Sequence, residues 1–150
     1  MICKVDNVEK KIDLLLMDSL EMVECAKEEF NRSIEVGDKY YRSGIRLVYM
    51  GFVGVVNAFY VRMSGRVYGV DESVDNLMYY IDRGYVEGEK EIDRHMWVNA
   101  NFTKERWDDY IYLRNCWEGS LVYRFEGIDY EKLLQAYYRI YNEIKDVIKW

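Results

Sequence analysis

Arg114 and Asn115 stand side by side in the segment DDYIYLRNCWEGSL, with Tyr123 following shortly after. An Arg supplies a fixed fork of charged donors, which could stabilise charge on a phosphate. Lys39, Arg42 and Arg46 recur at steps of three and four residues, so they share one helical face, as do Arg62 and Arg66 further on. These faces could bind phosphate at two ends of one element. The plainer alternative is that they are solvated ends paired with some of the 27 acidic residues. Arg114 has a similar alternative, an ion pair with Asp109 or Glu118, while Asn115 caps a helix end.

Proton transfer is poorly provided for. General acid–base catalysis needs a group titrating near neutrality. The one histidine, His95, lies well before Arg114 in an acidic stretch. Charge alone makes Arg114, Arg42 and Arg46 candidate binding residues, and no catalytic residue is assigned. Glu21, Glu24 and Glu28 share a helix face, but carboxylate di-metal bundles add Glu-x-x-His pairs that this chain lacks. Cys3, Cys25 and Cys116 form no CxxC pair, which argues against zinc and against a disulfide framework. No cofactor or metal is expected.

Charge is unevenly spread. The formal charge is −6, yet positions 39–70 contain five basic residues and no acid, which leaves −11 for the remainder. A net acidic chain is a poor general nucleic-acid binder, although a local basic face remains able to contact phosphate. The apolar share of 50% and the fifteen Tyr exclude a disordered or fibrous chain. A length of 150 residues suits one domain, spanning positions 1–150. Met1 to Lys11 is charged and lacks an apolar h-region, so a cytoplasmic protein without membrane association is expected.

The elements that must carry these residues are helical. From Val8 to Glu35 apolar residues recur at three- and four-residue steps, ending at Gly37, with Asp38 placed to cap the next helix. That second helix runs from Lys39 to about Met63 and contains the uncharged run Leu47 to Val61, whose 15 residues are short of the roughly 20 that span a bilayer. It is expected to be the buried centre. Gly44, Gly51 and Gly54 within it imply close packing against a neighbour, and Asn57 needs a buried partner. A third helix fits Glu72 to Arg83, and 85–102 holds a loop and a short helix. Thr103 can cap a fourth, with Trp107, Tyr110, Ile111, Arg114 and Trp117 on one side. Asp129 caps a last helix bearing Leu133, Leu134, Tyr137, Tyr141, Ile144 and Ile148. Beyond the short run Leu121 to Phe125, no segment alternates like a strand. The expected fold is all-α, an antiparallel up-and-down bundle of four or five helices.

Helix order, the apolar second helix and Arg114-Asn115 followed by Tyr123 and a capped final helix resemble the HEPN superfamily of small α-helical proteins. In that family an Arg-Asn pair, a His and a Tyr form a metal-independent ribonuclease site, usually across a homodimer. Gly119, Ser120 and Leu121 occupy the positions permitted to that His. The resemblance therefore implies RNA or nucleotide binding without cleavage, with Arg114, Asn115 and Tyr123 among the binding residues, by a homodimer or with a protein partner, in a toxin–antitoxin or defence setting. An active ribonuclease, and a helical interaction subunit unrelated to HEPN, are the alternatives left open.

Overall fold

The computed structural model describes residues 2–69, 106–122, 124 and 128–148. The helix expected over Glu72–Arg83, the segment 85–102 with His95, the Thr103 cap and Tyr123 lie outside the described residues. Among these residues the fold is helical, with α1 (Val8–Val36), α2 (Asp38–Ser64), α3 (Trp107–Leu121) and α4 (Tyr130–Ile148).

α1 and α2 pack on each other and are joined at Gly37. The Gly37 φ of +117° favours a residue without Cβ, and its N–H closes α1 on the Ser33 carbonyl at 3.0 Å. Asp38 does not cap α2; it falls in the first turn, and no side chain caps that end. The hairpin is tight because α2 presents glycine where α1 presents bulk. A Cβ on Gly44 would sit 2.5 Å from the Phe30 ring, and one on Gly51 would sit 3.0 Å from Val23 Cγ2. The close packing implied by these glycines is thus present.

Two short strands, β1 (Ile2–Lys4) and β2 (Arg66–Tyr68), pair antiparallel across the open end of the hairpin, with Cys3 opposite Val67. This corrects the expectation that strand could occur only near Leu121 to Phe125. Three-residue strands are too short to show alternation, and they form here because the hairpin brings its two flanks together.

α2 is the centre, packed by α1, α3 and α4. Its Ile45, Val48, Phe52, Val55, Val56, Ala58 and Phe59 are all at most 1% exposed. α2 is 27 residues long, so length does not exclude a bilayer span as the uncharged run alone implied. Burial carries the core reading instead: α2 is long and apolar enough to cross a membrane by length and composition, but 78% of its apolar window is covered by the rest of the chain.

α3 begins after Arg106, which makes no side-chain cap. Its buried face is Tyr110, Leu113, Cys116 and Ser120, rotated from the expected stripe so that Ile111, Arg114 and Trp117 are only partly buried. α4 starts as expected, with Asp129 Oδ1 accepting from the Glu131 and Lys132 N–H groups at 2.8 and 3.4 Å. Two tyrosines fix that start. Tyr41 of α2 donates to the Ile128 carbonyl at 2.7 Å, and the Tyr112 hydroxyl of α3 accepts from the Asp129 N–H at 3.2 Å. Further along, Arg139 pairs with Asp109 and Arg106 with Glu143, tying α3 to α4.

Candidate anion-binding groove

The first turns of α2 display a cluster of positive charge. Because α1 and α4 cover the apolar faces of α2, the face bearing Lys39, Arg42, Ser43 and Arg46 is left beside the end of α3. A groove of about 430 Å³ opens there, lined by these four residues with Leu47 and Met50. Arg42 is held from the α3 side, its Nε donating to the Ser120 carbonyl at 2.9 Å. Arg46 is exposed and its guanidinium carbon lies 5.7 Å from the centroid of the Trp117 ring, which in turn stacks on Tyr49 at 4.8 Å and 6°. Lys39 is exposed beside the Tyr40 ring, 5.8 Å from its centroid.

Among the described residues, neither Lys39 nor Arg46 is paired with a carboxylate. The other end of α2 differs. There Arg62 donates to both oxygens of Glu9, at 2.5 and 2.9 Å, and through Nε to the Ile148 carbonyl at 2.9 Å. The Arg62 hydrogen bond holds the Glu9 carboxyl below the usual carboxylate range. Of the two basic ends expected on this element, one is a structural clamp and one is an open cationic groove.

The Arg-Asn pair sits apart from the described groove lining. Arg114 lies one turn before Trp117 on α3, with its Nε 3.3 Å from Glu118 Oε1, which is one of the carboxylates anticipated for it. Asn115 is exposed. The structure thus gathers Arg42 and Arg46 on one wall and leaves Arg114 and Asn115 on the neighbouring helix. Two potential proton carriers lie on α3 near them, Tyr112 and Cys116. Burial pushes the Cys116 thiol up to about 11 and raises the Tyr112 hydroxyl as well. Tyr41, which faces Tyr112, is pushed up to about 12, also chiefly by burial. All three stay protonated at neutral pH, so none is poised as a base there.

Glu21, Glu24 and Glu28 are exposed, and Glu24 pairs with Lys27 at 2.8 Å. Cys25 is exposed on the same helix. Asn57 is 7% exposed and, as its position required, is not without a partner. Sequence reasoning missed Ser120 and Trp117 as the contacts of Arg42 and Arg46. Ser120 acts through its backbone carbonyl, which no side-chain pattern reports. Trp117 was placed on a core-facing stripe, and its partial burial follows from the rotation of α3.

No protein-family model matches the chain, and neither a curated protein nor a solved structure matches it.

Proposed function

We propose that this chain is a HEPN-like helical protein, an antiparallel up-and-down bundle with a degenerate ribonuclease motif, that binds RNA or nucleotide through the Lys39–Arg46 face without cleaving it. The carrying observation is the groove itself, where Lys39 and Arg46 face solvent without a carboxylate partner among the described residues. Uncompensated cations in a concave site favour an anion, and the neighbouring Arg42 guanidinium is held in place by the Ser120 carbonyl. The high proton affinity of Tyr112 and Cys116 favours binding over catalysis. The homodimer or protein partner, and the toxin–antitoxin setting, follow from the resemblance alone.

A helical interaction subunit is the second reading. It is favoured by the apolar tip of the α1–α2 hairpin, where Ile34 and Val36 are 73% and 68% exposed. The deciding experiment incubates the protein with generic single-stranded RNA in chelator at low salt, following retention and integrity together. Retention of intact RNA is expected. Robust cleavage abolished by Arg114→Ala would establish the active-ribonuclease alternative, and absence of retention would favour the interaction subunit.

A further inference from the structure

The end of α2 away from the groove borders a second pocket. Glu9, Ile12, Asp13 and Leu16 lie three or four residues apart and share one face of the first turns of α1. Together with Arg62 of α2 and Lys145 and Ile148 of α4 they line a cavity of about 310 Å³. Its floor is apolar, since Ile12 and Ile148 are 3% and 2% exposed and Leu16 is partly buried.

The charges on its rim are of two kinds. Arg62 and Glu9 are satisfied, because the Arg62 Nε donates to the Ile148 carbonyl and its two terminal nitrogens donate to the Glu9 carboxylate. Asp13 and Lys145 are exposed, and among the described residues neither pairs with the other or with any further charge. The Lys145 Nζ lies 5.7 Å from the Tyr141 ring centroid, a contact that leaves its hydrogen-bond donors available. One open anion and one open cation therefore flank an apolar floor.

That combination selects among ligands. A simple anion suits Lys145 but meets Asp13, and a simple cation suits Asp13 but meets Lys145. An uncharged apolar molecule covers the floor but strips water from both charges without replacing it. A zwitterion with an apolar body satisfies all three surfaces at once. Size narrows the class further. The cavity is at the small end of ligand sites, which run from about 300 to 1,000 Å³, and it holds the volume of about ten waters. One free amino acid has this bulk, whereas a nucleotide or a folded peptide segment exceeds it.

We propose that this pocket binds a free aliphatic amino acid, with its ammonium on Asp13, its carboxylate on Lys145 and its side chain against Ile12, Leu16 and Ile148. The site is separate from the Lys39–Arg46 groove and does not depend on RNA binding there.

The experiment is an NMR titration of the isotope-labelled full chain with leucine, isocaproate, isoamylamine and glycine. Isocaproate lacks the ammonium of leucine, isoamylamine lacks its carboxylate, and glycine lacks its apolar body. Leucine should shift the amides of the pocket residues saturably and bind about fivefold tighter than each of the others, as expected for one exposed charge contact. Asp13→Asn should erase the preference over isocaproate, and Lys145→Gln should erase the preference over isoamylamine. Both positions are exposed, so both variants should fold. Absence of saturable shifts with leucine, shifts centred away from the pocket, equal affinity for either singly charged analogue, or leucine binding unchanged in both variants would each overturn the site. None of these outcomes bears on the anion-binding groove, which the RNA measurement tests by itself.

Discussion

The Ser19 hydroxyl of α1 donates to the Gly51 carbonyl of α2 at 2.6 Å, at the point where a Cβ on Gly51 would lie 3.1 Å from the Ser19 carbonyl oxygen. The same hydroxyl accepts from Tyr137 of α4 at 2.5 Å, so three helices meet on one buried oxygen. Ser19→Ala should leave the Tyr137 hydroxyl without its acceptor and destabilise the fold by about 1–3 kcal/mol. Gly51→Ala should cost a similar amount, because Val23, the Ser19 backbone and the Tyr137 ring all have to shift. Urea unfolding of both variants checks this; a Ser19→Ala midpoint equal to wild type would show that the junction contributes nothing.

α2 should tolerate no charge in its middle. Val53 and Phe59 are 5% and 0% exposed, and an Asp at either site would have neither water nor a counter-ion. Val53→Asp or Phe59→Asp should abolish the cooperative thermal transition. Glu24→Gln, on the solvated face of α1, should stay within about 0.5 kcal/mol of wild type. An unchanged melting temperature for Val53→Asp would contradict the packing of α2.

Alkaline pH should weaken the fold in a defined window. The Cys116 thiol, 2% exposed, ionises near 9 in a free chain but only at about 11 when folded. Above pH 9 the unfolded state loses this proton while the folded state keeps it, so stability falls as pH rises and levels off above 11. Two units correspond to about 2–3 kcal/mol. Tyr41, ordinarily 10 and here about 12, extends the loss to higher pH by the same sign. Denaturant midpoints between pH 8 and pH 11 test this in wild type and Cys116→Ala. The variant should start from a lower stability and show the shallower decline, and parallel curves would remove Cys116 as the cause.

What was legible in the sequence follows from how far each signal reaches along the chain. Asn7, Gly37 and Asp129 punctuate the helices, and Gly37 and Asp129 were readable as local conformational or capping signals; Asn7, whose side chain accepts from the Lys10 N–H at 3.1 Å, was not singled out. The core stripe of α4 was readable because Leu133, Tyr137, Tyr141, Ile144 and Ile148 are buried on one face. The orientation of α3 was not. With Trp, Tyr, Ile, Leu and Cys distributed around it, several apolar faces compete, and packing against Phe52 and Tyr49 of α2 selects the one through Tyr110 and Cys116. The strands escaped notice because their pairing depends on helices that separate them by a whole hairpin. The groove was legible as a basic face, whereas the hold of Ser120 on Arg42 and of Trp117 on Arg46 depends on contacts across tertiary structure.

Arg46 and Arg62 look alike in sequence, each flanking the same uncharged run, and the structure separates them by what they touch. Arg62 is mostly buried, with its side chain 18% exposed, and its Nε satisfies the Ile148 carbonyl at the end of α4 while its other nitrogens hold Glu9 of α1. Arg62→Ala should therefore destabilise the protein by about 1–3 kcal/mol, chiefly by leaving the Ile148 carbonyl without that donor. Glu9→Gln should have a smaller effect, since Glu9 lies in solvent and the Ile148 contact survives. Among the described residues Arg46 makes an exposed cation–π contact with Trp117 and no ion pair, so Arg46→Ala should change stability by no more than about 1 kcal/mol. RNA retention should respond in the opposite order, falling with Arg46→Ala and remaining near wild type for folded Arg62→Ala below its melting temperature. Measuring both variants by thermal unfolding and by anisotropy gives a two-by-two comparison. If Arg46→Ala lost as much stability as Arg62→Ala, Arg46 would be a structural clamp like its counterpart, and the groove would lose the open cation on which anion binding depends.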